Sequence, residues 1–280
     1  MELDQVTERG IVLSTSDLKE YDRRLVVLTE NLGKITVFAN NARRPNGRLG
    51  AISQSFAMGR FGLHPGRGTY SLREAEVEEP FRELADDPEQ YATASYVTEL
   101  TEYFTRESLP AKDELNLLYV TYKTLIKAEL SPDAVRTAFV IKLLHVEGMA
   151  PVMEMVMDHG QDLSDKEVSD DQVSGKDTAQ RDPGSMIKYL NIRAGGLVLL
   201  PPGKGNRSVI PISDTAIYGI QYIYSRPIGA TFSFKMTEEL EGELLSIADS
   251  LVKELVDQEL KAAGILREMR EFRNLLRNNG

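Results

Sequence analysis

The sequence predicts an α+β protein in which a small closed β-barrel is followed by a helical region. Short β-branched runs separated by turn residues fill residues 1–80, which indicates several short strands. From Pro80 onward, apolar residues recur instead at spacings of three and four, which indicates amphipathic helices. At 280 residues, with 41% hydrophobic and 27% charged residues, the chain has the composition of a globular protein with about one to three domains.

The first eighty residues contain five predicted strands. These are the run that begins at Gly10 and residues 25–29, 35–39, 53–63 and 69–77. Gly33 can supply the positive φ that the turn of the first hairpin requires. An irregular loop with Pro45 and Gly47 separates the first three strands from the last two. Strands divided in this way are typical of a small closed barrel such as the OB-fold, which commonly binds single-stranded nucleic acid or oligosaccharide.

Positive charge is concentrated within the barrel. Residues 23–73 hold nine cations and one anion, a net charge of +8, whereas the whole chain carries −10. A basic module on an acidic body predicts a polyanionic partner, and nucleic acid held through its phosphates fits guanidinium and ammonium groups best. The alternative interpretation is that these cations simply solvate the edges of the strands.

Eight of these cations are the candidate DNA contacts. They are Arg23, Arg24, Lys34, Arg43, Arg44, Arg48, Arg60 and Arg67. Arg43 and Arg44 lie on the irregular loop, from which long side chains can follow a flexible strand. Four aromatic residues offer stacking faces for bases, although packing in the core of a small barrel is the simpler interpretation. They are Phe38, Phe56, Phe61 and Tyr70.

Helix signals follow the barrel. Asp87-Pro88 and Ser131-Pro132 each place an N-cap residue before a proline at the first helical position. We expect the first helix to run from Pro88 to Phe104 and a second to lie between Pro110 and Ile126. A third should begin at Pro132 and end at Gly148.

The second half of the chain is less regular. Residues 158–185 contain eight acidic and three basic residues and no aromatic residue, so we expect a mobile excursion. Residues 186–236 are predicted to be irregular and partly β. Thr237 should cap a closing helix that packs back on the earlier helices, and a basic tail from Arg267 is expected to be frayed.

Three stretches of the sequence carry a resemblance to a known family. They are GIVLSTSDLKEYDRRLVVLTENLGKITVFANNARRP from Gly10, with a T-x-x-x-G-K turn, SPDAVRTAFVIKLLHVEGMAP from Ser131, and the pair Gly195-Gly196. Together they span nearly the whole chain in the right order. By these residues the chain resembles the bacterial DNA repair protein RecO, a recombination mediator.

The resemblance implies a fold and a set of partners. It implies an α+β fold with an N-terminal OB-fold β-barrel (1–80), a central helical domain (81–152, completed by 237–275) and a small inserted zinc-finger-like domain (153–236). It further implies binding of single- and double-stranded DNA, strand annealing, and cooperation with RecR and with the C-terminal tail of single-strand DNA-binding protein, so that RecA is loaded. A cytoplasmic, nucleoid-associated bacterial protein without an active site would fit this description.

The chain departs from the family pattern at its zinc ligands. Counted from Pro151 and from Gly195-Gly196, the four cysteine positions fall at Val156, His159, Leu199 and Pro202. A tetrahedral zinc site needs four ligands, and one histidine cannot supply them. We therefore expect a degenerate subdomain without cysteines that binds no zinc and is held by the apolar packing of Val156, Leu199 and Leu200.

The sequence leaves two alternative classes of function. The first is a protein-interaction platform that docks the acidic, apolar-ended tail of single-strand DNA-binding protein with little direct DNA binding. Its candidate residues are Arg136, Phe139 and Lys142 on the third helix. The second is an enzyme, which the sequence disfavours, because it has no cysteine, only three histidines and no Walker-type glycine loop.

Membrane association is not expected. The N-terminus MELDQVTERG lacks the apolar run of a signal peptide, and no apolar stretch approaches the ~20 residues that a membrane helix needs.

Overall fold

A computed structural model describes residues 5–45, 47–155, 187–200 and 208–278 of the chain. Five strands form a closed barrel at the N-terminal end. They are β1 (Val6–Asp17), β2 (Arg23–Thr29), β3 (Gly33–Ala39), β4 (Met58–Pro65) and β5 (Tyr70–Glu79). The strand order is β1-β2-β3-β5-β4, with β4 pairing back onto β1 and a short parallel contact between β3 and β5. The predicted OB-type barrel is confirmed, although β4 begins at Met58 and residues 53–57 belong to the preceding loop.

Strands β1 and β2 are apolar on both faces because this side of the barrel packs against the helices. Val12, Leu25 and Val27 point into the barrel and are fully buried there. Their neighbours Ile11 and Val26 belong to a second apolar core shared with the helices. Successive side chains of a strand point to opposite faces, so the continuous apolar runs in β1 and β2 reflect this two-sided burial.

The helical domain begins with the predicted capping signals. Its first helices are α1 (Pro88–Phe104), α2 (Lys112–Lys127) and α3 (Pro132–Val146). The Asp87 carboxylate accepts from the backbone N–H groups of Glu89 and Gln90 at 2.8 and 2.9 Å, and the Ser131 hydroxyl accepts from that of Ala134 at 3.0 Å. Both N-caps therefore form as the sequence predicts.

A second, smaller sheet follows the first three helices. Its strands are β6 (Val152–Met155), β7 (Ile187–Asn191), β8 (Gly196–Leu200) and β9 (Val209–Pro211), in the order β6-β8-β7-β9. Its buried apolar residues include Met153, Leu190 and Leu197. Leu199 is 41% exposed, so the expected packing role of Leu199 is wrong. The predicted acidic excursion, residues 158–185, lies outside the described residues.

Two C-terminal helices differ from the expectation. Helix α4 (Asp214–Ser225) occupies a segment predicted to be irregular or β, and its Ile220 and Ile223 are buried in the shared apolar core. Helix α5 (Glu238–Leu255) is the predicted closing helix, capped by Thr237. Helix α6 (Lys261–Asn278) replaces the expected frayed tail and packs along α1. In the described parts of the chain, no helix is both long enough and apolar enough to cross a membrane.

Candidate nucleic-acid interface

A cleft lined by four arginines lies between the barrel and the start of the helical domain. It has a volume of about 820 Å³. Its cations are Arg23, Arg43, Arg44 and Arg82, and its aromatic residues are Phe56, Phe81 and Tyr91. We call this site the arginine cleft. Its volume falls in the range of about 300–1,000 Å³ that is usual for ligand sites.

The loop between β3 and β4 forms one wall of the arginine cleft. Ala42 and Ile52 anchor this loop in the barrel core, where both are almost fully buried. The Arg43 backbone N–H donates to the carbonyl of Tyr21 at 2.9 Å. With its apolar residues turned inward, the loop presents the side chains of Arg43 and Arg44 outward, and both are exposed.

Arg23 and Arg43 share one carboxylate. Arg23 Nε lies 3.3 Å from Asp17 Oδ1, and Arg43 Nη1 lies 3.1 Å from Asp17 Oδ2. Arg23 also donates through Nη1 to the carbonyl of Ser53 at 2.8 Å, which ties β2 to the loop. Because its side chain is only 18% exposed, Arg23 mainly positions the loop, whereas the Arg43 side chain is 37% exposed and lines the cleft.

Arg44 and Arg82 carry positive charge that no described residue neutralises through an ion pair. The Arg44 guanidinium lies over the ring of Tyr21, 5.4 Å from its centroid, a contact that orients the cation and leaves its charge in place. Arg82 begins the short 3₁₀ helix Arg82–Asp86 that follows β5. Neither arginine forms an ion pair with any residue in the described ranges. Sequence reasoning missed Arg82 because it lies outside residues 23–73; the available signal was a cation directly after the last predicted strand.

The structure places the other predicted cations outside the arginine cleft. Lys34 lies at the opposite end of the β2–β3 ladder from Arg23, roughly 17 Å away at 3.3–3.4 Å per residue. Its ammonium group donates to the carbonyl of Glu102 in α1, so Lys34 joins the barrel to the helices. Arg60 is paired with Glu78 at 3.2 Å on the outer face of the barrel. Three more predicted cations are exposed but do not line the cleft, namely Arg24, Arg48 and Arg67.

The barrel aromatics divide between core and surface. Phe61 is fully buried inside the barrel and Phe56 is 6% exposed, so both pack in apolar cores. Phe38 and Tyr70 are half-buried and lie outside the cleft.

The three residues predicted to dock a partner peptide are all buried. Phe139 is fully buried, and Arg136 and Lys142 are 5% and 4% exposed. Arg136 pairs with Asp249 of α5 at 2.8 Å. Lys142 donates to backbone carbonyls at the end of α4, among them that of Tyr224 at 3.0 Å. Burial lowers the pKa of Lys142. These side chains therefore stabilise the helical domain and form no accessible docking site in this structure.

One of the four positions that correspond to the family's zinc ligands lies within the described residues. Val156, His159 and Pro202 lie outside the described residues, and the fourth position is Leu199, which has no donor atom. Within the described ranges, no group of three or more histidine, cysteine, aspartate or glutamate side chains could hold a metal ion. That the chain binds no zinc therefore stays a prediction.

Comparison with known proteins agrees with the fold. Residues 1–81 match the family model "Recombination protein O N terminal", and residues 85–263 match "Recombination protein O C terminal". The DNA repair protein RecO of Bacillus velezensis is 27% identical over 270 residues, which cover 96% of this chain and 97% of that protein.

Two further relatives show the same extent of similarity. The RecO protein of Bacillus subtilis is 25% identical over 96% of this chain and 97% of its own length. That of Acetivibrio thermocellus is 24% identical over 89% of this chain and 91% of its own. With both of its parts matched, the chain belongs to the RecO family of DNA repair and recombination proteins.

Proposed function

We propose that this RecO-family protein binds single- and double-stranded DNA through the arginine cleft and promotes the annealing of complementary strands. The observation that carries the proposal is the convergence of Arg43, Arg44 and Arg82 on one cleft, where two of the three form no ion pair with a described residue. Unneutralised guanidinium groups on one surface favour a phosphate backbone. Binding of this kind depends steeply on salt and little on sequence, as annealing of arbitrary strands requires.

No catalytic step is part of this proposal. The protein acts as a mediator that holds strands together, with RecR and the C-terminal tail of single-strand DNA-binding protein as partners, so that RecA is loaded indirectly. Support for these partners comes from membership in the RecO family and from its resemblance across the whole chain. Such a role places the protein in the bacterial cytoplasm, at the nucleoid.

The arginine cleft also favours one second candidate function, the docking of an acidic peptide. Four arginines beside apolar rings would suit a peptide with acidic residues and an apolar end, such as the tail of single-strand DNA-binding protein. In that case the labelled tail peptide would bind at the cleft, and DNA would bind weakly or not at all. The two candidates are separated by measuring both ligands on the same variants.

The test compares Arg43→Ala/Arg44→Ala with wild type by fluorescence anisotropy of labelled oligonucleotides. We expect every sequence to lose affinity to the same degree, because phosphate contacts carry no sequence information. Arg193→Ala is the matched control. The Arg193 side chain is 74% exposed and pairs with Glu254, and it lies in the turn between β7 and β8, outside the cleft. Unchanged DNA affinity in the double variant would overturn the proposal.

A further inference from the structure

We propose that Tyr91 stacks on an unpaired base of a strand held in the arginine cleft, so that the cleft prefers single-stranded to double-stranded DNA. This inference rests on the proposed function, because the cleft must hold DNA for the ring to meet a base. It adds a residue from the helical domain to the site and names the form of DNA that the site selects.

Tyr91 is the aromatic ring of the cleft that a ligand can reach. Three rings line the cleft, but Phe56 is 6% exposed and Phe81 is 2% exposed. Tyr91 is 46% exposed. Its hydroxyl group forms no hydrogen bond with any residue in the described part of the chain. Proteins that bind single-stranded nucleic acid combine a positively charged groove with exposed aromatic rings on which bases stack, and Tyr91 provides such a ring here.

The ring of Tyr91 is held in place from behind. Phe56 meets it at 5.5 Å between centroids with the planes at 78°, and Phe56 itself meets the fully buried Tyr122 at 5.5 Å. Phe56 has a φ of 72°, a left-handed conformation that is uncommon for a bulky residue. Its backbone N–H donates to the carbonyl of Val12 at 2.9 Å, which fixes that conformation to β1. On its protein side, the Tyr91 ring therefore packs against a buried ring that belongs to the barrel.

The cations and the ring occupy the same cleft, which suits the two parts of a nucleotide. Arg43, Arg44 and Arg82 can hold phosphates while the face of Tyr91 meets the base. A base within a duplex is paired and stacked on its neighbours, so its face is closed to a protein ring. Tyr91 therefore adds affinity only for a strand with unpaired bases, whereas the arginines add affinity for both forms.

The test measures the affinity of three variants for an oligothymidylate and for a blunt-ended duplex of two separate strands, both carrying a fluorescent label. Tyr91→Ala should lower affinity for the single strand about tenfold, within the range of one lost stacking contact, and leave duplex affinity unchanged. Tyr91→Phe should retain the affinity of wild type, because the ring and not the hydroxyl group carries the contact. Tyr218→Ala is the matched control, since Tyr218 is 67% exposed on α4 and does not line the cleft.

A spectroscopic readout separates stacking from a structural role. The chain contains no tryptophan, so Tyr91→Trp introduces a single reporter, and Tyr218→Trp provides its control. Titration with oligothymidylate should quench the fluorescence of the first variant and not of the second. The salt dependence of binding should be the same for Tyr91→Ala and wild type, because the ring contacts no phosphate.

The failures of the two proposals can be told apart. If Tyr91→Ala changes neither affinity, or lowers both equally, while Arg43→Ala/Arg44→Ala still weakens binding, the stacking inference is overturned and the DNA-binding cleft stands. If wild type binds neither oligonucleotide at low salt, both proposals fall together.

Discussion

Arg136 of helix α3 and Asp249 of helix α5 form an ion pair across 2.8 Å, with the arginine side chain 6% exposed and the aspartate 42% exposed. The guanidinium also lies over the ring of Tyr96, 5.1 Å from its centroid. Burial raises the pKa of Tyr96 to about 12, in line with the dry surroundings of this pair. Arg270 of α6 binds the same carboxylate at 3.6 Å, so Asp249 joins three helices.

We expect Asp249→Ala to lower the free energy of unfolding by about 2 kcal/mol, because it leaves a buried guanidinium without its nearest counter-ion. Chemical denaturation measures the loss. Asp214→Ala is the matched control, because Asp214 is 79% exposed and its pair with Lys188 lies at the surface. Asp214→Ala should lower the free energy of unfolding by less than about 0.5 kcal/mol. Equal losses in the two variants would show that the Arg136–Asp249 pair is not a stabilising contact.

Arg82 is expected to contribute to DNA binding although it lies outside the basic stretch. Arg82→Ala should weaken binding of single- and double-stranded DNA several-fold, and the salt dependence should become shallower by about one phosphate contact. The unfolding midpoint should not change, because Arg82 is exposed and forms no ion pair with a residue that the structure describes. Arg73→Ala is the control, since Arg73 is exposed on β5 but does not line the cleft. A larger loss in the control than in Arg82→Ala would place the DNA elsewhere on the barrel.

The carboxyl group of Glu147 should make stability depend on pH. Burial at the end of α3, together with Glu114, raises the pKa of Glu147 from 4.5 to about 7, and Arg106 opposes the rise. Between pH 4.5 and 7 the folded protein thus binds more protons than the unfolded chain, so stability falls as the pH rises through this window.

Glu147→Gln removes this titration. We expect the variant to be more stable than wild type at pH 8 and to match it near pH 5, where the wild-type carboxyl group is protonated in the folded state. Thermal unfolding across the pH range measures both. A constant difference between the two proteins at every pH would contradict a raised pKa for Glu147.

Zinc should be absent from the purified protein. The four positions that correspond to cysteine ligands offer a single histidine, which cannot complete a tetrahedral site. We expect metal analysis by mass spectrometry to find no stoichiometric zinc, and a chelator to leave the unfolding midpoint unchanged. One tightly held equivalent of zinc would refute this prediction and would point to ligands that the sequence comparison does not identify.

Much of the fold could be predicted because the local preferences of turn and capping residues favour the same structure as tertiary packing does. The turn at Gly33, where φ is 68°, and the N-caps Asp87, Ser131 and Thr237 form as their residue types predict. Helix α4 was missed because its β-branched and aromatic residues favour a strand and its Gly219 disfavours a helix. Burial of Ile220 and Ile223 in the shared core selects the helix.

The site could be predicted only in part. The density of positive charge in the sequence identified Arg43 and Arg44. It could not show that the ammonium group of Lys34 donates a hydrogen bond to the carbonyl of Glu102 in α1. Helix α3 is buried almost all round, so its periodicity gave no exposed face, and Arg136 and Lys142 could not be recognised as internal cations. Arg82 and Tyr91 join the cleft through packing between the barrel and the helices, which no local pattern in the sequence reports.

The salt dependence of binding to a labelled single strand tests the central claim most directly. Arg43, Arg44 and Arg82 predict that the logarithm of the affinity falls linearly with the logarithm of the salt concentration, with a slope of about −2. Arg43→Ala/Arg44→Ala should make this slope shallower by about two thirds. Binding that does not respond to salt, or no binding at low salt, would contradict a phosphate-binding cleft.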